Sequence, residues 1–166
     1  MKKRFKKFGI ILTSALLIAG ATYFSTGKLI DNVTDTPLKS TFSAASSVAK
    51  VGGAQTEISL EDTDSKHSIL ATLHKMTHQK VAAGEKWGAV EMTDENIQKA
   101  LDAVKTMNHV ESDEIIEMVE RWQQGDFSRI DDDHNFIWKL QGGSIGKAYG
   151  IMTEEQEKEF IQKNFK

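Results

Sequence analysis

Three histidines, His67, His74 and His78, stand at positions i, i+7 and i+11 of one stretch. At 100° per residue a helix brings them within about 40° of one another on one side. His74 and His78, one turn apart, have the spacing at which two imidazoles share a zinc or similar divalent cation. Such a site needs ligands from elsewhere in the chain. His134, with Asp133 beside it, is the obvious supplier, and His109 is a further candidate. Lys75, Met76 and Thr77 separate the pair, so the glutamate that a metalloprotease helix carries after its first histidine is missing. The competing explanation is that His74 and His78 border the apolar face of the helix and serve only as hydrogen-bonding residues.

The nine residues from Gly142 to Gly150 form the second unusual constellation. They contain the pattern G-x-S-x-G, but a helix rather than a strand precedes Ser144, and a nucleophile elbow needs a large parallel sheet around it. They also approach a phosphate loop, with Gln141 where the first glycine belongs and Ala148 in place of the hydroxyl residue after Lys147. Both enzymatic readings fail on context. What remains is a glycine-rich connector whose amides can grip an anion or a partner backbone. Gly142, Gly143, Ser144, Gly146, Lys147 and Tyr149, with the aromatic Trp87 and Trp138, are therefore the candidate partner-binding residues. Asp131, Asp132 and Asp133 lack the spread ligands and internal glycine of a calcium loop. Three carboxylates at a helix start are what the helix dipole favours unaided.

These residues need elements to hold them. Ile69, Leu70, Leu73, Met76 and Val81 form one apolar stripe, which predicts a first helix ended by Gly84. Thr93, followed by Asp94 and Glu95, starts a second helix carrying Ile97, Ala100, Leu101, Val104 and Met107. Ser112 is expected to cap a third, with Ile115, Ile116, Val119 and Trp122, closed by Gly125. The three aspartates open a fourth, with Ile137, Trp138 and Leu140, closed by Gly142 and Gly143. Thr153-Glu154-Glu155-Gln156 is a capping box for a fifth, whose Phe160, Ile161 and Phe165 return to the core. No stretch alternates with period two for long enough to predict a sheet. The expected fold is all-α, a small bundle of about five helices over 66–166.

Ahead of it, 28–65 is rich in Thr, Ser, Ala and Asp and reads as a tether, with a short helix from Pro37 towards Gly52. Residues 1–27 read as an address. Five cations in the first seven positions precede a 17-residue apolar run from Phe8 to Phe24, about 25 Å of helix. That is the short limit for an uncleaved signal anchor, while Ala19-Gly20-Ala21 offers a cleavage site. Anchoring gives a single-pass protein of the cell membrane with its C-terminal domain outside; cleavage gives a secreted one.

Beyond the address, the remaining 16 basic residues face 24 acidic ones, leaving a charge of about −8. Nucleic acid is excluded as a partner, since phosphate recognition demands a positive face. The absence of cysteine removes disulfides, thiolate zinc ligands, a cysteine nucleophile and a lipoprotein anchor.

The run His74-Lys75-Met76-Thr77-His78-Gln79-Lys80-Val81, the triplet Lys86-Trp87-Gly88, the stretch from Asp132 through His134 and Trp138 to Gly143, and the closing Gly150-Ile151-Met152-Thr153 carry a resemblance. In them the chain resembles an uncharacterised family of small Gram-positive bacterial proteins, with one N-terminal membrane segment and a C-terminal domain of unknown function. The resemblance covers about residues 70–165. It implies a single-pass, outward-facing small protein and no particular activity. With no complete catalytic set, the leading expectation is a membrane-anchored helical interaction module for another envelope protein, without a cofactor. The alternative is a metal-binding or metal-dependent hydrolytic domain that uses His74, His78, His134 and Asp133.

Overall fold

The computed structural model describes residues 48–59 and 61–166. The expected signal segment 1–27 and most of the expected tether lie outside them. Among the described residues no helix is long and apolar enough to cross a membrane.

Among the described residues five helices dominate, as the apolar stripes predict: α1 (Lys66–Thr77), α2 (Asp94–Thr106), α3 (Ser112–Gln123), α4 (Ile130–Leu140) and α5 (Glu154–Asn164). The start signals act as read at two of them. Thr93 Oγ1 accepts from the amide of Asn96, and Thr153 and Gln156 close a full capping box on α5. Ser112 differs from expectation. It is the first residue of α3, and its hydroxyl donates to the Met107 carbonyl (2.8 Å), closing the preceding turn instead of capping.

Four short strands accompany the helices among the described residues. β1 (Ala54–Gln55) pairs in parallel with β3 (Ala89–Val90), and β2 (Val81–Ala83) pairs antiparallel with β4 (Ala148–Ile151). Val81 therefore lies in a strand, whereas the apolar stripe alone extends α1 towards Gly84. After Thr77 the backbone tightens to i→i+3 bonds at His78, Gln79 and Lys80, and the side chains that follow are engaged with other elements. Gln79 accepts from the Met92 amide (3.0 Å) and donates to Glu157 (2.8 Å), while Lys80 pairs with Glu157 (2.7 Å).

The main core joins α1, α2, α3 and α4 through Leu73, Met76, Ile97, Val104, Ile115, Trp122, Ile130 and Ile137, all essentially sealed from solvent. At about 1.5–3 kcal/mol for each large side chain, this burial is what holds the helices together. A smaller cluster sets Phe160 of α5 against Val51 and Ala89.

That second cluster reaches into the stretch expected as a tether. Val51 and Ile58 are buried, and two asparagines of the helical domain fasten their backbone. Asn96 Oδ1 accepts from the Ile58 amide (3.1 Å) while its Nδ2 donates to the carbonyls of Thr56 and Glu91 (2.8 Å each). Asn164 Oδ1 accepts from the Val51 amide (2.8 Å). Among the described residues, packing thus already includes Val48 and Val51 rather than starting at Lys66. Of the short helix expected between Pro37 and Gly52, residues 37–47 fall outside the described residues, and 48–51 are not helical.

One consequence matters for the site. α1 packs against α4, and β2, which follows α1, pairs with β4, which follows α4. The Gly142–Lys147 connector between α4 and β4 must then pass the C-terminal end of α1.

Candidate metal centre

His74 lies in the last turn of α1, His78 is its C-cap residue, and His134 sits one turn into α4. The α1–α4 packing brings all three together. Their ring centroids are 4.4 Å apart for His74 and His134, 4.9 Å for His74 and His78, and 5.5 Å for His78 and His134. One nitrogen from each lies within 4.8 Å of the other two. His78 and His134 are buried, and His74 is partly exposed.

Each ring is held by an oxygen on its Nδ1. His74 Nδ1 faces Gln141 Oε1 at 2.6 Å, His78 Nδ1 the Gly88 carbonyl at 2.7 Å, and His134 Nδ1 the Thr77 hydroxyl at 2.8 Å. The protons follow from these partners. A carbonyl only accepts, so Nδ1 of His74 and of His78 carries the hydrogen and Nε2 is bare. The Thr77 hydroxyl donates to the His74 carbonyl at 2.6 Å, so its oxygen accepts from His134 Nδ1–H. On this assignment all three Nε2 atoms are unprotonated.

His134 Nε2 then meets only acceptors, His74 Nε2 at 3.4 Å and the Gly146 carbonyl at 3.1 Å. In the other neutral tautomer His134 Nε2–H donates to the Gly146 carbonyl, and the Thr77 hydroxyl then turns from the His74 carbonyl to donate to Nδ1. A cation bound at Nε2 would leave every Nδ1 bond as it stands.

Electrostatics favour the neutral rings that a metal requires. Burial pushes His78 down to about 3, with the neighbouring His74, His134 and Lys86 charges adding to it against the Gly88 bond. Burial likewise takes His134 down to about 4, and His74 falls below its ordinary value for the same reason. Lys86, itself lowered to about 8 by burial, donates to the His78 carbonyl (2.8 Å) and so fixes the end of α1.

One edge of the cluster has the spacing of a small ion's ligands, while the three nitrogens together span up to 4.8 Å. Zinc–nitrogen bonds of about 2.0–2.1 Å in a tetrahedron put ligand nitrogens about 3.3 Å apart. His74 and His134 stand close to that separation, at 3.4 Å.

The other residues of interest fall in different places. Asp133, next to His134 but 100° around the helix, points away from the cluster. Its Oδ1 accepts from Arg121 (2.6 Å) and its Oδ2 from the Trp122 indole (2.8 Å), so both oxygens are engaged. It does not join the three histidines as a ligand. His67 lies exposed at the far end of α1, two turns or about 10 Å from His74. His109 sits between Lys66 and Glu111, away from the cluster.

The glycine connector belongs to the histidine site. The Trp138 ring lies on Gly143, where an added Cβ would come 2.3 Å from the indole, and its Nε1 donates to the Ile145 carbonyl (2.7 Å). Gly146, at φ +87°, passes so close to the Glu85 carbonyl that a Cβ would stand 2.8 Å from it. With its backbone pinned at these two glycines, the connector presents the Gly146 carbonyl to His134. Ser144, Lys147 and Tyr149 are exposed on its outer side, as is Trp87 nearby, and Gly142 turns the chain at the end of α4 with φ +71°. Gln141, Thr77 and the Gly88 carbonyl went unrecognised in the sequence as ring holders. Gln141 carried a signal all the same: it follows His134 by seven residues, two turns along the same helix face.

Helix packing and ring geometry together define a small, mostly helical domain with an all-histidine cluster between two of its helices. Residues 73–162 match the family of unknown function DUF6241, and the chain belongs to that family. The match includes His74, His78 and His134 together with Thr77, Gly88, Gln141 and Gly146, the residues that hold them. Comparison with curated proteins and with solved structures gives no match.

Proposed function

We propose that this domain binds a divalent transition-metal ion of the zinc class through Nε2 of His74, His78 and His134. The observation that carries the proposal is the arrangement of oxygens on the three Nδ1 atoms. Metal-bound histidines characteristically give their second N–H to a carbonyl or similar acceptor, which fixes the tautomer and turns the other nitrogen to the ion. Gln141, Gly88 and Thr77 supply such an acceptor to each ring. Imidazole ligands without thiolates suit zinc, copper, nickel or iron rather than calcium or magnesium. The basic and apolar segment 1–27 supports a location on the outer side of a membrane, with the domain tethered to it.

Thermal unfolding of the full-length chain tests the metal reading. Zinc at 100 times its dissociation constant stabilises a folded protein by about 2.7 kcal/mol. For a domain of this size that is a rise on the order of 10 °C. The rise is expected in the wild type and is expected to vanish in His78→Ala. No shift in the wild type, or an equal shift in the variant, removes the proposal.

A second reading, docking of an envelope protein partner on the connector, is supported by its exposed apolar side chains. Trp87 is 71% exposed and Tyr149 78%, with Ile145 and Ile151 also open to solvent. Photo-crosslinking from position 147 in intact membranes tests it: an adduct is expected, and recovery of monomer alone contradicts it.

A further inference from the structure

A cavity of about 170 Å³ lies directly over the histidines, with His74 and His78 in its wall and His134 sealed behind them. An ion held from behind by three rings would turn its remaining coordination position towards this space. Two opposite charges also line the cavity, Lys75 and Glu85. Neither side chain makes a hydrogen bond or ion pair with any described residue. The Lys75 stem is laid along Gly88, where an added Cβ would stand 3.3 Å from its Cε. Gly88 thus helps to position both an imidazole, through its carbonyl, and an ammonium, through the room left by its missing side chain.

A structural metal site closes its shell with protein ligands, whereas a working one leaves a position open. Here the open side carries an uncommitted cation beside two imidazoles, with the faces of Trp87 and Ile145 at the rim. From this juxtaposition, and resting on the metal reading above, we infer that the fourth position is exchangeable and takes the carboxylate of a small organic acid. One carboxylate oxygen binds the ion, the Lys75 ammonium donates to the other, and Trp87 and Ile145 cover the apolar body. The cavity is smaller than the roughly 300–1,000 Å³ of a pocket for a drug-sized ligand, so the acid is small. Glu85 sets the charge limit. A monoanion is tolerated beside it and a dianion is opposed.

Cobalt(II), whose visible spectrum reports its ligands, serves as the probe ion in the full-length chain purified in detergent. Phenylacetate is expected to change the spectrum saturably and inorganic phosphate to bind more weakly. Lys75→Gln is expected to weaken phenylacetate by about tenfold, the loss of one charge-assisted hydrogen bond. Glu85→Gln is expected to strengthen it, with cobalt affinity unchanged in both variants. A general disturbance of the fold would move both variants the same way, and opposite shifts exclude it. A cobalt spectrum that shows bound imidazoles but ignores phenylacetate, tighter binding of phosphate, or shifts of equal sign in the two variants overturns the inference while leaving the metal site standing. Failure of cobalt to bind at all overturns both.

Discussion

Asp133 and His134 are neighbours in sequence, both buried on α4, and they meet opposite fates. On one side of the helix the Asp133 carboxylate is satisfied twice, by the Arg121 guanidinium and the Trp122 indole. On the other, His134 has one nitrogen satisfied by Thr77 and the second turned towards another imidazole nitrogen and a carbonyl. A buried polar group whose partners saturate it is structural, because nothing further can bind without breaking what is there. His134 Nε2 has a carbonyl partner too, but it shares that place with a second imidazole nitrogen, where a cation can stand in for the proton. If the proposed metal binds, the two faces of one helix divide the labour, stability on the Asp133 side and ligand binding on the His134 side.

That division can be broken from either side. The largest effect is expected for Asp133→Ala, which strands Arg121 and the Trp122 indole and should cost about 3–5 kcal/mol in urea unfolding. The metal affinity of the molecules that stay folded should be unchanged. His134→Ala should do the reverse, lowering zinc affinity by about 100-fold or more in competition with a chelator and leaving metal-free stability less affected than Asp133→Ala does. Thr77→Val removes the acceptor on His134 Nδ1 while keeping the shape of the side chain. Loss of such a supporting bond costs about 10–100-fold in metal affinity, and the lower end is expected here because the ring stays packed.

The remaining effect is a pH dependence of the metal-free protein. Histidine takes up its proton near 6.5 when unfolded, but His78 does so only at about 3 and His134 at about 4 when folded. Below 6.5 the unfolded chain binds more protons than the folded one. The contribution of these rings is whole above that pH and drains away as the pH falls towards the folded values. Each contributes a slope of about 1.4 kcal/mol per pH unit inside that window. Chemical unfolding between about pH 6 and 4.5 should show a shallower slope in His78→Asn than in the wild type, and equal slopes would place the rings in solvent.

Much of this was legible in the residues. Apolar stripes and caps located five helices, and the i, i+4 spacing marked His74 and His78, because helical geometry repeats regularly enough to be read from a single chain. His134 was nominated by residue type alone. Joining it to Asp133 ran against that same geometry, since adjacent residues on a helix diverge by 100° and cannot both face one ion. The strands escaped notice because two to four residues are too few to show a period. The stretch before Lys66 reads as a tether from its polar composition, yet Asn96 and Asn164, two and more helices away in sequence, fasten parts of it through backbone groups that every residue possesses. The connector and the histidines look like separate features in the sequence. They are one site because Gly143 and Gly146 admit close approaches that only a missing Cβ allows, and such contacts leave no periodic trace.

Zinc K-edge X-ray absorption on the loaded full-length chain tests the central claim most directly. The account predicts three imidazole nitrogens at about 2.0–2.1 Å with one lighter oxygen ligand, and loss of one imidazole in His134→Ala. A shell made mainly of oxygens, or one that His134→Ala leaves unaltered, would contradict it.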